Sequence, residues 1–163
     1  MEFLAPFHPA IVHVPVALIV VGAIFELIGR ATDLAWWRKA AFALLIVGVL
    51  GAVAAVLSGE QAMEIAEHRH GVPEDPIESH EDSAKLALWI GIGAVVARAA
   101  AGRTGSARGL VSGIGLTLHL AAAVMVGIAA YRGGKLVYEH AAGVKVNGQP
   151  VISGPPREHE EGK

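Results

Sequence analysis

Four apolar segments dominate this chain of 163 residues, and each is about long enough to cross a membrane as an α-helix. They cover residues 10–28, 40–57, 86–101 and 110–130. A helix rises about 1.5 Å per residue, so about 20 residues cross a hydrocarbon core of about 30 Å. The segments predict an all-α fold, an integral membrane four-helix antiparallel bundle. We assign residues 1–143 to the transmembrane domain and residues 144–163 to an outward-facing hairpin and disordered tail.

The composition agrees with a membrane protein and excludes several chemistries. Only 17% of the residues are charged, against about 25% in a soluble domain. The net charge of -2 does not indicate a nucleic acid partner. The absence of cysteine excludes disulfides, thiolate metal sites and iron–sulfur clusters. No hydrolytic zinc motif or phosphate-binding loop is present, so the sequence allows at most an electron-transfer role as an enzyme component.

Basic residues predict the orientation in the membrane. The two short connections between spans are flanked by Arg30, Arg38, Lys39, Arg98, Arg103 and Arg108. Asp33 is the only acid within these connections. Because Lys and Arg accumulate in short cytoplasmic loops, we expect both termini to face outward, towards a periplasm or extracellular space.

Seven of the eight histidines lie on that outward side. They are His8, His13, His68, His70, His80, His140 and His159. Imidazole is the commonest metal ligand, so this cluster is the main indication of function. The eighth, His119, lies about 17 Å deeper in the last span by helical rise, and we expect it to hydrogen-bond a neighbouring helix.

Three of the outward histidines form the candidate cofactor or metal site. His13 lies in an apolar run, and ionisable residues inside membranes are candidate functional residues. Pro15 cannot donate to the carbonyl of Ile11, which should kink the helix and direct His13 inward. His80 precedes the third span by about one turn. His140 follows the fourth span, which we expect Gly133–Gly134 to break, so that His140 returns to the level of His80.

Other local patterns make smaller predictions. Glu26 and Arg30 are four residues apart near the inner end of the first span and should form an ion pair at the interface. The segment from Glu60 to His68 has helical spacing and could extend the second span beyond the membrane. Asn147–Gly148 between apolar residues predicts a two-residue hairpin.

Motifs at both ends of the chain resemble those of a known family. Residues 8–18 read HPAIVHVPVAL, and residues 133–138 read GGKLVY before Gly143–Val144. They resemble the opening and closing motifs of the bacterial membrane proteins called domain of unknown function 2231, over about residues 6–146. His80 also fits that pattern. The resemblance implies a four-helix, multi-pass protein of the bacterial inner membrane. Some members are fused to Rieske or cytochrome modules, which indicates electron transfer.

Two functions follow as hypotheses. The first is a redox or metal-binding subunit in which His13, His80 and His140 bind haem b or a transition metal. Its partners would be the lipid bilayer and a respiratory or redox membrane complex or a periplasmic cytochrome. The alternative is a cofactor-free structural or assembly subunit of a larger complex, in which the histidines hydrogen-bond between helices. A transporter ranks last, because no pair of broken helices is evident.

Overall fold

The first crossing is interrupted beside His13. The computed structural model describes residues 3–151. A 3-10 turn, Ala5–Phe7, leads into α1, His8–Ile11, and α2, His13–Ala31. The break falls at Val12, whose carbonyl accepts a long 3.4 Å hydrogen bond from the N–H of Val16. Pro15 accounts for the weakened ladder because it has no N–H to give, and the predicted distortion near His13 is confirmed.

The second helix extends well beyond a bilayer. Helix α3, Ala35–His70, has 36 residues, and at about 1.5 Å per residue it is about 54 Å long. The predicted extension past Glu60 is confirmed. The helix ends where Gly71 adopts a left-handed conformation with φ of 64°. The N–H of Val72 then donates to the carbonyl of Ala66 over 3.2 Å, a common way to end a helix.

The third helix begins earlier than the apolar span. Helix α4, Glu74–Ala101, places Glu74 and Asp75 in its first turn, where the helix dipole favours negative charge. His80 therefore lies within a helix rather than in a loop before it. The consequence is that its backbone position is fixed by the helix that also crosses the membrane.

The fourth helix is continuous through the glycine pair. A 3-10 turn, Gly105–Ala107, precedes α5, Arg108–His140. The predicted break at Gly133–Gly134 is wrong. A glycine inside a helix costs about 1 kcal/mol relative to alanine, which tertiary packing outweighs here. The helix continues to His140, and Ala141 then adopts a left-handed conformation with φ of 52°.

A short hairpin follows α5, as the sequence predicts. Strand β1, Lys145–Val146, pairs antiparallel with β2, Gln149–Pro150. Asn147 and Gly148 have φ of 53° and 78°, as a two-residue turn with two positive φ angles requires. The predicted disordered tail after the hairpin falls largely outside the described residues.

The helices pack as two antiparallel hairpins with small residues at their contacts. Helix α2 packs mainly on α3, and α4 mainly on α5. A Cβ at Gly48 would lie 2.7 Å from Cγ1 of Ile19, so glycine permits that approach. Large apolar side chains such as Trp89 and Val124 are exposed, as expected where lipid covers the surface. Within the described residues, four long apolar crossings are present, which confirms the all-α membrane bundle.

Candidate metal site at the histidine end

One end of the bundle brings two histidines together. We call it the histidine end, defined by His8 on α1 and His80 on α4. Their ring centroids are 6.5 Å apart, and the ring planes meet at 78°. Metal–nitrogen bonds are about 2.0–2.1 Å long, so two imidazoles on one ion have centroids about 5 Å apart in tetrahedral geometry and at most about 6.4 Å apart. The observed separation is slightly longer, so the two rings would have to move closer together to share one ion.

Both rings are anchored through the Nδ1 atom. His80 Nδ1 donates to the carbonyl of Ala129 over 3.0 Å. His8 Nδ1 lies 2.9 Å from Oγ of Ser58, and that hydroxyl donates to the carbonyl of Ala55 over 3.1 Å. The ring of His8 is therefore the donor in its bond with Ser58. In each neutral ring, Nδ1 then carries the proton and Nε2 carries the free lone pair. Metal-binding histidines commonly have this arrangement, in which one ring nitrogen binds the metal and the other donates a hydrogen bond that fixes the ring.

Two glycines make room for these rings. A Cβ at Gly59 would lie 3.1 Å from Cε1 of His8, and a Cβ at Gly133 would lie 3.0 Å from Cε1 of His80. At Gly134 an added Cβ would meet nothing within 4 Å. The first glycine of the pair in the GGKLVY motif therefore has a specific role, because it lets α5 approach His80.

Charged and hydroxyl groups surround His80. Arg132 donates to the carbonyl of Ser79 over 2.8 Å and to Oγ of Ser83. Ser83 is 2% exposed. Glu81 forms an ion pair with Lys85, and both Glu81 and Arg132 act electrostatically on His80. These contacts join α4 to α5 beside the imidazole.

His13 does not face the bundle interior. Its ring is exposed, and Nδ1 donates to the carbonyl of Pro9 over 2.6 Å. The predicted inward orientation is wrong, because the ring instead bonds the preceding turn at Pro9 on α1. This placement does not test the predicted cofactor role of His13, and below we propose His8 in its place.

His140 lies farther out than the sequence suggests. Because α5 continues through Gly133, His140 is seven residues beyond the level of His80, a rise of about 10 Å. The predicted return of His140 to that level depended on the break and is wrong. Its proposed role as a ligand is not tested by this placement alone.

For the remaining histidines of the outward group, the structure describes at most the backbone. His68 and His70 end α3, and His159 lies outside the described residues. Among the described side chains, which do not include those of residues 68–70, no group of three or more His, Asp or Glu is placed to hold a metal ion. The pair of His8 and His80 is thus the core of the candidate site.

A buried ion network at the other end was not predicted in full. We call this the arginine end, defined by Arg30 and Arg98. Glu26 is 2% exposed; it pairs with Arg30 over 3.0 Å and with Arg98 on α4. Arg30 also donates to the carbonyl and hydroxyl oxygens of Ser112 on α5, each over 2.9 Å. Arg98 donates in turn to the carbonyl of Arg38 on α3 over 2.9 Å. The predicted pair of Glu26 and Arg30 is confirmed, but the network joins all four long helices.

His119 lies between the two ends and is fully buried. Its Nε2 donates to the carbonyl of Ile19 over 3.2 Å, which confirms the predicted hydrogen bond to a neighbouring helix. A Cβ at Gly22 would lie 3.3 Å from the same ring. The Nδ1 atom of His119 has no hydrogen-bond partner in the described part of the chain.

These features define a multi-pass membrane protein whose four-helix bundle carries polar groups at both ends. The chain belongs to the family of predicted membrane proteins named DUF2231, whose model matches residues 4–146. The match includes His8, His80 and the GGKLVY motif, and it confirms the resemblance found in the sequence. Neither curated proteins nor solved structures yield a match to this chain.

Proposed function

We propose that this protein is a membrane-embedded redox or metal-binding subunit whose site contains His8 and His80. The observation that carries the proposal is that both imidazoles are fixed through Nδ1 beside one another. Imidazole donors without sulfur suit zinc, copper and iron, including haem iron. Haem b or a single transition metal ion is the proposed cofactor, and His8 replaces His13 of the predicted site.

The proposed location is the bacterial inner membrane with both termini outward. Support comes from the basic residues that flank the two short connections, because positive charge marks cytoplasmic loops. In this orientation the histidine end faces the periplasm. A periplasmic cytochrome or a respiratory complex could then exchange electrons with the site. Beyond electron transfer we assign no enzymatic reaction.

The second candidate is a cofactor-free structural or assembly subunit. It is favoured by the hydrogen bonds that the two rings already make to α3 and α5, which tie the helices together. In this case the histidines stabilise the bundle and the outward segments contact a partner.

The test is metal and haem binding by the purified full-length protein. Detergent-solubilised protein is titrated with haem, copper and zinc, and the visible spectrum and bound metal are measured. We expect the wild-type protein to bind, and His8→Ala and His80→Ala each to lower the affinity at least about 10-fold. Even residues that only hydrogen-bond a metal ligand contribute about 10–100-fold. The matched control is His13→Ala, which removes an exposed imidazole and should keep the wild-type affinity.

The outcomes separate the two candidates. Loss of binding in both His8→Ala and His80→Ala, with retention in His13→Ala, supports the proposed site. Full retention in all three variants contradicts it. If folded wild-type protein binds neither haem nor metal, the structural subunit is the better explanation.

A further inference from the structure

The arginine end carries a strong excess of positive charge. Six basic residues and two acids lie there: Arg30, Arg38, Lys39, Arg98, Arg103, Arg108, Glu26 and Asp33. Their formal net charge is +4. The rest of the described chain has nine acids and five basic residues, a formal net charge of -4. The charge of the whole molecule conceals this separation between the two ends.

The buried network does not neutralise this end. The single carboxylate of Glu26 pairs with both Arg30 and Arg98. These three side chains therefore keep a net charge of one positive unit. The nearby pair of Arg38 and Asp33 is 3.4 Å long, and the side chain of Asp33 is 90% exposed. Pairs of this exposed kind contribute little. The excess charge therefore remains available to an anion.

Three of the basic residues are free to meet that anion. Lys39, Arg103 and Arg108 are exposed, and none forms an ion pair with another described residue. Trp36 is 55% exposed and stacks on Trp37 with centroids 4.1 Å apart. Because indole rings prefer the membrane–water boundary, this end lies at the level of lipid headgroups.

An apolar groove begins at the same end. It follows the first three turns of α5, has a volume of about 540 Å³, and is lined by Gly109, Leu110, Gly113, Ile114, Thr117 and Leu118. A Cβ at Gly109 or Gly113 would meet nothing within 4 Å. The groove is thus open on the lipid side and starts directly after Arg108. An acyl chain fits this surface, whereas a soluble anion would use only the charges.

We propose that the arginine end is a docking surface for anionic phospholipids, with the phosphate at the basic residues and an acyl chain in the α5 groove. Each Lys or Arg near an anionic membrane surface contributes about 1 kcal/mol, or about fivefold in affinity. This interaction is independent of any cofactor at the histidine end. It would hold one end of the bundle at the leaflet that contains more anionic lipid.

The test compares lipid binding by purified full-length protein in detergent. Thermal unfolding is followed while phosphatidylglycerol or phosphatidylcholine is added, since a ligand of the native state raises the midpoint. We expect at least about 10-fold tighter binding of phosphatidylglycerol, weakened by salt. The triple variant Lys39→Gln, Arg103→Gln, Arg108→Gln should lose most of this preference. These side chains are exposed, so the variant should fold.

Two further variants and a soluble anion separate the contributions of charge and of apolar contact. Lys135→Gln with Lys145→Gln removes two charges at the opposite end and should retain the preference. Gly113→Leu fills the groove without changing charge and should weaken phosphatidylglycerol binding. Inorganic phosphate should neither stabilise the protein nor compete. The proposal is overturned if wild type binds the two lipids equally or if the triple variant keeps its preference. It is also overturned if Gly113→Leu binds as well as wild type or if phosphate competes.

Discussion

Removing the charge of Glu26 should destabilise the bundle far more than an ordinary lost ion pair. Glu26 pairs with Arg98, and their side chains are 3% and 11% exposed. Two unit charges about 4 Å apart attract by about 4 kcal/mol at an effective dielectric constant of about 20. The second pair, with Arg30, is weaker because that side chain is 32% exposed and screened by solvent.

Glu26→Gln should therefore cost about 3–5 kcal/mol of unfolding free energy. The cost is the penalty of leaving a buried guanidinium without its counter-charge. The assay is reversible unfolding in mixed micelles, followed by tryptophan fluorescence. Asp33→Asn is the matched control, because it removes the acid from an exposed pair and should cost less than about 1 kcal/mol.

A double variant tests the cause. Adding Arg98→Gln to Glu26→Gln removes the unpaired charge and should recover part of the loss, which a double-mutant cycle measures. The reasoning is refuted if Glu26→Gln costs no more than Asp33→Asn. It is also refuted if the unfolding free energy lost in the double variant equals the sum of the losses in Glu26→Gln and Arg98→Gln.

Two further predictions concern close contacts inside the bundle. Gly133→Val should displace His80 and lower metal affinity about 10–100-fold. Gly134→Val is the control and should keep the affinity, because an added Cβ there meets nothing within 4 Å. Equal metal affinities of the two variants would contradict the role of Gly133. His119→Leu should cost less than about 2 kcal/mol, because single hydrogen bonds inside membranes contribute about 0.6 and at most about 1.7 kcal/mol. The same unfolding assay measures it, and a loss matching that of Glu26→Gln would show that His119 supports more than its bond to Ile19.

The secondary structure was largely predictable because its determinants are local. Apolar segments of sufficient length predict membrane helices, since the bilayer leaves their backbone groups no partner outside the helix. Asn147–Gly148 predicts a hairpin because few residues accept two positive φ angles. Pro15 predicts a disturbance beside His13 because it lacks an N–H. These conclusions required no knowledge of how the helices pack.

The partners of the polar side chains were not predictable in the same way. His8 meets His80, and Glu26 meets Arg98, across 72 residues of chain in each case. Such pairs depend on the rotation of each helix about its axis, which small residues set where helices touch. The glycine pair shows the same limit, because local propensity predicts a break, whereas α5 continues through both glycines and packs along α4. Local sequence thus determined the elements and the two polar ends, whereas the tertiary structure decided which side chains meet there.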